Sequence, residues 1–409
     1  MSNVFQTLKE RGFVKQCTDE AKLSEVLDQE KLTFYAGFDP TADSLHCGSL
    51  VPIMAMAHLQ KAGHKAIALL GGGTTMVGDP SGKTELRKMM SLEQIRENAK
   101  GISKQLSRYI DVDGEQGMML DNADWLLELN YVEFLREIGR HFRVNEMLRA
   151  EAYRARLERE EGLSFIEFNY QLLQAYDFLS LFRDQGCTLQ IGGDDQWGNI
   201  LAGTDLIRRK EQGEGFGLTF PLLTTARGEK MGKTAKGAVW LDAARTSPYE
   251  FFQYWRNCDD RDVGRFLAYF TFLPMEEVSR LGALEGAKIN EAKEILAFEV
   301  TKLLHGESEA NEAQSGFQKA KQGGDATAVP STAYASARLD EGIPVLDLFA
   351  ETGLAKSKGE ARRLVQQGGA YINGEPVGSI EVMVSTEHVQ DGAVLLRFGK
   401  KKFHRVVVE

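Results

Sequence analysis

Four short apolar runs, set apart by long helical stretches, constrain this chain's fold more than any other feature of its 409 residues. They are Lys31–Phe38, with its strand pattern ending at Gly37, then His64–Leu70, Gly117–Leu120 and Thr188–Ile191. Between and after them, Gly48–Ala62, Ser91–Tyr109, two shorter stretches, Phe165–Phe182 and Gln196–Gly213 have helical periodicity. Strands alternating with helices predict a parallel sheet with crossover connections, because parallel neighbours cannot be joined by a tight turn. On such sheets ligands bind beyond the carboxyl ends of the strands. Residues just past each apolar run are therefore the first candidates for a site. Residues 1–30 read as two polar, mostly helical segments.

A chain of this length exceeds what one hydrophobic core usually serves. From Ser247 to about Lys321 the pattern is helical throughout. Gln322–Pro330 has linker composition. The remainder shows one helix near Lys358–Gln367 and short strands at Ala370–Ile372 and Val394–Arg397. The expected division is an α/β domain over 1–240, a helical domain over 241–325, a linker over 326–336 and a small α+β domain over 337–409.

Net charge is −10, which on its face argues against a nucleic-acid partner. The average hides a basic tail, in which Arg397, Lys400, Lys401, Lys402 and Arg405 fall together with no acid between them. An acidic body with a basic appendage suits an enzyme that holds a polyanion at one end. Cys17, Cys47, Cys187 and Cys258 lie outside metal-ligand spacing of one another. They read as small core residues in a reducing compartment, and no dedicated metal site is expected. No run approaches the roughly 18 apolar residues of a membrane span. Met1 to Glu10 lacks the apolar stretch of a signal peptide, so the cytoplasm is the expected location.

Two clusters carry chemistry. The first runs from Tyr35 through Gly37, Asp39, Pro40, Thr41 and His46 to Gly48 and Ser49, where a strand ends, a turn follows and a helix begins. A helix N-terminus offers N–H groups to an anion, glycine lets a large ligand approach the backbone, and His46 can donate to phosphate oxygens. Alone, the same residues also describe a capped strand–turn–helix joint. The second cluster, Gly228 to Gly237, holds Lys230, Lys233, Thr234 and Lys236. Lysines on a glycine-bounded loop suit a triphosphate whose charge grows during reaction, or equally a solvated basic turn. Gly78-Asp79-Pro80-Ser81-Gly82-Lys83-Thr84 imitates a P-loop but is one residue short, and Pro80 removes a backbone donor. It reads instead as a loop presenting Asp79. Tyr170, Gln174 and Asp177, at i, i+4 and i+7, share one helix face. Such a polar stripe suits a zwitterionic amino acid with a polar tip.

Taken together, the His-x-Gly element after the first strand and Lys230-Met-Gly-Lys-Thr234 resemble the two signatures of class I aminoacyl-tRNA synthetases. Gly192-Gly-Asp-Asp-Gln-Trp-Gly-Asn-Ile200, Gln174-Ala-Tyr-Asp-Phe178, Tyr35 to His46 and Gly78 to Gly82 are similar to the tyrosyl branch in particular. The resemblance spans essentially the whole chain. It implies a Rossmann-like α/β catalytic domain, a helical domain and an RNA-binding domain. It also implies ligation of L-tyrosine to its tRNA through tyrosyl-adenylate, with ATP as substrate and Mg²⁺ travelling with it.

By the same resemblance, Tyr35 and Asp177 bond the phenol, Asp79, Tyr170 and Gln174 hold the α-ammonium, and Gln196 lies near the carboxylate. His46, Thr41, Lys230, Lys233 and Thr234 serve the phosphates. Gly37, Asp39, Gly48, Ser49, Gly193 and Asp195 are expected around ATP. Ser49 stands where the family has histidine or asparagine, and Met231 where phenylalanine is common. The stretch from Gly353 to Glu375 is similar to an RNA-binding module of a ribosomal small-subunit protein. Lys356, Lys358, Arg362 and Arg363, with Lys400, Lys401 and Lys402, are the expected tRNA contacts, giving affinity through phosphates rather than base readout. With the helical domain, this module is expected to take the anticodon and variable arms. The family is dimeric, and the apolar helix around Tyr131–Phe142 offers a symmetric interface. Two alternatives remain: an RNA-binding protein on a catalytically silent synthetase fold, and another nucleotidyl transferase or a tryptophan-specific synthetase of the same architecture, the last disfavoured by a carboxylate at 177 beside Tyr35.

Overall fold

In the computed structural model, which describes residues 3–81, 90–158, 162–226, 228, 231–234, 237–322, 329–399 and 402–408, the strand pattern builds one central sheet. Its strands are β1 (Gln16–Cys17), β2 (Thr33–Phe38), β3 (Lys65–Leu70), β4 (Gly117–Asp121), β5 (Cys187–Gly193) and β6 (Phe216–Phe220). They lie in the order β1-β6-β5-β2-β3-β4. The pairs from β6 across to β4 are parallel, as the alternating pattern predicts, and the edge strand β1 runs antiparallel to β6. The chain steps outward from β2 to β4, then crosses back to β5 and β6. The strand order therefore reverses between β2 and β5, which opens a crevice at their carboxyl ends.

The helices follow the apolar periodicity with two adjustments. The Leu50–Lys61 helix is buried along nearly its whole length, because it packs beneath the sheet rather than at its rim. The two helical stretches expected before Phe165 break into several short turns, including Tyr131–Glu137, Val144–Met147 and Glu151–Glu158. The Phe165–Gln185 helix is one uninterrupted element, opened by a Ser164/Glu167 capping box and closed by Gly186 in the left-handed region. Glu167 also takes a buried ion pair from Arg156 at 3.0 Å, which fixes the helix's first turn.

The chain divides into two compact units, Met1–Asp242 with Gly264–Arg280, and Ala243–Val263 with Leu281–Glu409. Residues 264–280, helical as expected, cluster with the sheet. The reason lies far away in sequence: the buried Arg11 guanidinium donates to the carbonyls of Ala268 and Thr271 at 2.8 and 2.9 Å, and the Tyr269 hydroxyl donates to the Gly12 carbonyl at 2.7 Å. In the second unit the helices Pro248–Arg256, Ile289–His305 and Glu307–Gln322 pack around Phe251, Phe252 and Trp255. The same unit holds a five-stranded sheet in which Lys402–Val408 pairs in parallel with Ser331–Tyr334 and antiparallel with Ala393–Phe398. The Lys358–Gln366 helix covers it, burying Ala361 and Val365. Residues 323–328 of the stretch with linker composition, with Lys230, Lys400, Lys401 and Gly82–Thr84, lie outside the described residues, as do the side chains of Lys233 and Thr234. The remainder of 326–336 includes the strand Ser331–Tyr334.

Candidate active site

A cavity of about 180 Å³ occupies the crevice between β2 and β5. Tyr35, Asp79, Tyr170, Gln174, Asp177 and Gln196, the expected tyrosine contacts, all line it, together with Gly37, Asp39 and Gly193. Three elements bring them there. Strand β2 delivers Tyr35 and ends at Phe38, just before Asp39, the long helix presents its polar stripe, and the turn after Gly78 carries Asp79. The stripe faces inward because Leu172, Phe178 and Leu179 pack into the core.

Two hydrogen-bonded networks line the wall. The Tyr170 hydroxyl donates to Asp39 Oδ2 at 3.1 Å, and the Thr74 hydroxyl donates to Asp39 Oδ1 at 2.8 Å. Asn122 Nδ2 donates to both the Thr74 hydroxyl (3.0 Å) and Asp177 Oδ2 (2.9 Å), while Trp125 Nε1 donates to Asp177 Oδ1 at 2.8 Å. Asp39, grouped by resemblance with the ATP residues, thus has both oxygens engaged in this wall. At the other end Gln196 Nε2 donates to Asp79 Oδ2 at 2.8 Å, and Asn199 Nδ2 bridges Gln174 and Gln196 at 3.0 and 3.1 Å.

Asp177 is 2% exposed. Burial pushes its carboxyl up to about 8, against the opposing pull of the Asn122 and Trp125 donors. Burial, with Asp177 close by, raises the Tyr35 phenol well above its usual range, so it is a neutral donor. The Tyr35 hydroxyl has no hydrogen-bond partner among the described residues, nor does Gln190 Oε1, and Gln190 is the register partner of Tyr35 on β5. Buried polar atoms are rarely left so. A cavity with an orphaned hydroxyl beside a buried carboxyl asks for a ligand with a hydroxyl of its own.

The two signature loops meet outside this cavity. Cys47 N–H donates to the Val239 carbonyl at 2.9 Å, and Leu241 N–H to Leu45 at 2.9 Å. A Cβ placed on Gly48 would lie 2.7 Å from His46 Cε1 and 3.2 Å from the Met231 carbonyl, so only glycine fits where the loops cross. The Gly48 N–H is not left open to an anion: it donates to His46 Nδ1 at 3.0 Å. With Nδ1 accepting, a neutral ring carries its proton on Nε2, a donor of the kind that a phosphate oxygen takes. Ser49 caps the Leu50–Lys61 helix without a side-chain hydrogen bond. Met231 is buried, Thr41 is exposed, and Lys233–Thr234 pairs with Gly237–Ala238. Asp195 lines a second cavity of about 430 Å³, with Trp197 and the charged side chains of Arg143, Glu146 and Arg209.

Reasoning from sequence missed Thr74, Asn122, Trp125 and Gln190. Asn122 follows directly on the carboxyl end of β4, so the rule that points to Asp39 and Gly193 also points to it. Trp125, set in a short helix, carries no such sign.

In the second unit Lys356, Lys358, Arg362, Arg363 and Lys402 are exposed. Lys358 pairs with Asp347 at 2.8 Å, and the Arg397 guanidinium sits 3.5 Å from the Tyr371 ring centre. Gly399 N–H donates to the Gly369 carbonyl at 2.7 Å, so the end of the Ala393–Phe398 strand adjoins the turn that ends the basic helix.

Comparison with known proteins adds a family. Residues 27–322 match the family described as tRNA synthetases class I (W and Y), and residues 323–406 match the tyrosine–tRNA ligase SYY-like C-terminal domain. A tyrosine–tRNA ligase of Desulfatibacillum aliphaticivorans is 55% identical over 430 residues, covering 99% of each chain. One of Clostridium tetani is 56% identical over 409 residues, covering 100% of each. A C-terminally truncated mitochondrial tyrosyl-tRNA synthetase of Aspergillus nidulans superposes with a TM-score of 0.70 at 31% identity, covering 78% of this chain and 94% of its own. On that coverage and identity the chain belongs to the tyrosine–tRNA ligases, within the class I synthetases.

Proposed function

We infer that the cavity between β2 and β5 is where this chain selects L-tyrosine and that the crossed signature loops above it hold ATP. The chain is a tyrosine–tRNA ligase: it joins tyrosine to its tRNA at the expense of ATP, through tyrosyl-adenylate and release of pyrophosphate. The observation carrying the substrate assignment is the Tyr35 hydroxyl, buried without a partner among the described residues and close to Asp177 in the same cavity. A phenol satisfies both groups at once. Phenylalanine leaves both unmet, at a cost of about 1–3 kcal/mol for each desolvated polar group.

The tyrosine carboxylate is already a nucleophile, so its attack on the α-phosphorus needs no general base. Rate must come from orientation and from charge stabilisation. Asp79, Tyr170 and Gln174 hold the α-ammonium, and Gln196 steers the carboxylate. His46 through Nε2, with Thr41, Lys230, Lys233 and Thr234, meets the phosphates, while Gly48, Gly193 and Asp195 meet ribose or adenine. A histidine ring, hydroxyls and lysines form a donor set for phosphate oxygens and not for a hard cation, so Mg²⁺ would enter on ATP. A tRNA 3′-terminal hydroxyl then takes the tyrosyl group. The exposed Lys356, Lys358, Arg362, Arg363 and Lys402 supply phosphate contacts for the tRNA, with the helical segment from Ala243 completing the anticodon-arm side. In function the α/β part over 1–240 carries the chemistry, the helical part over 241–325 and the α+β part over 337–409 the tRNA, even though 264–280 pack with the sheet.

The test is tyrosine-dependent exchange of labelled pyrophosphate into ATP. Exchange with tyrosine, and none above background with phenylalanine at equal concentration, is the expected result. Absence of exchange with every amino acid, in a folded chain that still binds tRNA, would leave only the silent RNA-binding reading.

The functional unit is proposed to be a homodimer. On the Tyr131–Glu137 helix Tyr131 is 56% exposed, Val132 71% and Leu135 39%. Exposed apolar side chains in such number mark a surface that another protein covers. In sedimentation the chain is expected near twice its 45.5 kDa mass. Val132→Glu is expected to shift it toward the monomer, and a parent that sediments as a monomer at micromolar concentration would refute the dimer. No helix among the described residues is long and apolar enough to cross a membrane. A cytoplasmic location fits that and the free cysteines.

A further inference from the structure

The Leu92–Leu106 helix buries the wrong kind of residue. Asn98 and Gln105 are 4% and 7% exposed, although such amides usually face water. They lie seven residues apart with Gly101 between them, so the three share one helix face. That face lies against the loop joining Asp39 to His46, and each residue on it touches a different part of the loop.

Asn98 Nδ2 donates to the Pro40 carbonyl at 3.0 Å, its amide held the right way round by Gln94 Nε2 at 3.1 Å. At Gly101 an added Cβ would stand 2.0 Å from the Asp43 carbonyl oxygen, so helix backbone and loop backbone are in direct contact there. Gln105 uses both ends of its amide. Its Oε1 accepts the Leu45 N–H at 2.8 Å and its Nε2 donates to the Ser44 hydroxyl oxygen at 3.0 Å. That oxygen also accepts the Asp242 N–H at 3.2 Å and gives its own proton to the Leu45 carbonyl at 2.8 Å. Two acceptances and one donation saturate the Ser44 hydroxyl. The segment after the second signature is thus fastened at the same point as the loop of the first.

We propose that Gln105, acting through Ser44, is a positioning residue for adenylate formation, and that Asn98, Gly101 and Gln105 together form a rail that sets where Thr41 and His46 stand. Gln105 touches no substrate. It fixes the backbone from which the phosphate-binding groups project. A shift of about 1 Å in such groups costs up to about 10²-fold in rate. The tyrosine cavity is built on other contacts, so its affinity should not follow. This rests on the assignment of the two loops to ATP.

The experiment uses the full chain carrying Gln105→Met, which keeps bulk and removes both hydrogen bonds, and separately Ser44→Ala, a smaller change should the first variant fail to fold. Tyrosine affinity is measured by calorimetry, and pyrophosphate exchange with ATP varied at saturating tyrosine. The expected result is a fall in kcat of about tenfold or more, with KM for ATP raised, at a tyrosine Kd within twofold of the parent. Gly101→Ala is expected to act in the same direction by pushing the loop away. Kinetics unchanged in Gln105→Met and Ser44→Ala, or activity and tyrosine affinity falling together, would overturn the proposal. His46→Ala separates the two levels. If it abolishes exchange while the rail variants do not, the rail is refuted and the ATP site stands. If it too leaves exchange intact, the ATP assignment is what fails.

Discussion

Asp177→Asn is expected to lower kcat/KM for tyrosine about 100- to 1000-fold in pyrophosphate exchange, although the two side chains have nearly the same shape. The reason is the fixed direction of its neighbours. Asn122 cannot turn its amide, because its Oδ1 accepts the Gly73 N–H at 2.8 Å while its Nδ2 donates to Thr74. Trp125 Nε1 is a donor only. Both groups facing residue 177 therefore donate, and a carboxyl group accepts from each of them. An asparagine in either orientation sets its NH₂ against one of these donors. Above pH 8, where residue 177 is ionised, it also loses the acceptor strength of a carboxylate. Two hydrogen bonds at about 1.5–2 kcal/mol each sum to about 3–4 kcal/mol, and about 1.4 kcal/mol is tenfold. The ratio of tyrosine to phenylalanine activity should collapse in the same variant, since the phenol is what residue 177 reads. A variant that keeps activity within tenfold of the parent, with its preference for tyrosine intact, would show that the phenol is held elsewhere.

The geometry behind that expectation was only half visible in the sequence. Tyr170, Gln174 and Asp177 could be placed on one face from helical spacing alone, and the ends of β2 and β5 could be marked as the ligand edge from the strand–helix alternation. Both readings use local periodicity, which a chain displays along its length. What polarises Asp177 comes from Asn122 and Trp125, 55 and 52 residues away. That they face the same carboxylate depends on how the turn after β4 meets the long helix. Gln190 behaves likewise: its place beside Tyr35 is a matter of register between two parallel strands that no turn fixes. Strand β1 has two residues, too few for any period to show, and it is a strand only because β6 offers an edge. Residues 264–280 look like any other helical segment until the Arg11 guanidinium is seen to cap them with its charge. The loops were legible as chemistry but not as geometry. The tautomer of His46 follows from a hydrogen bond to Gly48 that spacing could not foretell.

Stability should peak near pH 6.5 and fall on both sides, with the acid arm set by two buried histidines. Burial, with Arg11 and Lys61 nearby, lowers His58 to about 3, and burial with Lys31 nearby lowers His64 to about 4. Nε2 of each is buried without a partner among the described residues. Above the ordinary histidine value of about 6.5, folded and unfolded chains alike are neutral at these sites. As pH falls below it, the unfolded chain takes up protons that the folded chain refuses, and each histidine costs about 1.4 kcal/mol per pH unit. Asp177 works in the opposite sense. Its folded carboxyl, raised to about 8, keeps a proton that the unfolded chain releases above its ordinary value, so its contribution is present at low pH and is lost as pH rises toward 8. From 8 down to 6.5 Asp177 acts alone and stability rises. From 6.5 toward 4 the two histidines outweigh it, for a net loss of about 1.4 kcal/mol per unit. His58 packs edge-on against Phe13 and Phe272, with ring centres 5.8 and 4.9 Å away, so phenylalanine fits its place. In urea unfolding, His58→Phe should match the parent closely at pH 7.5 and exceed it by about 2 kcal/mol at pH 5.0. A variant that loses as much stability between those two pH values as the parent does would show that His58 takes up its proton in the folded state after all.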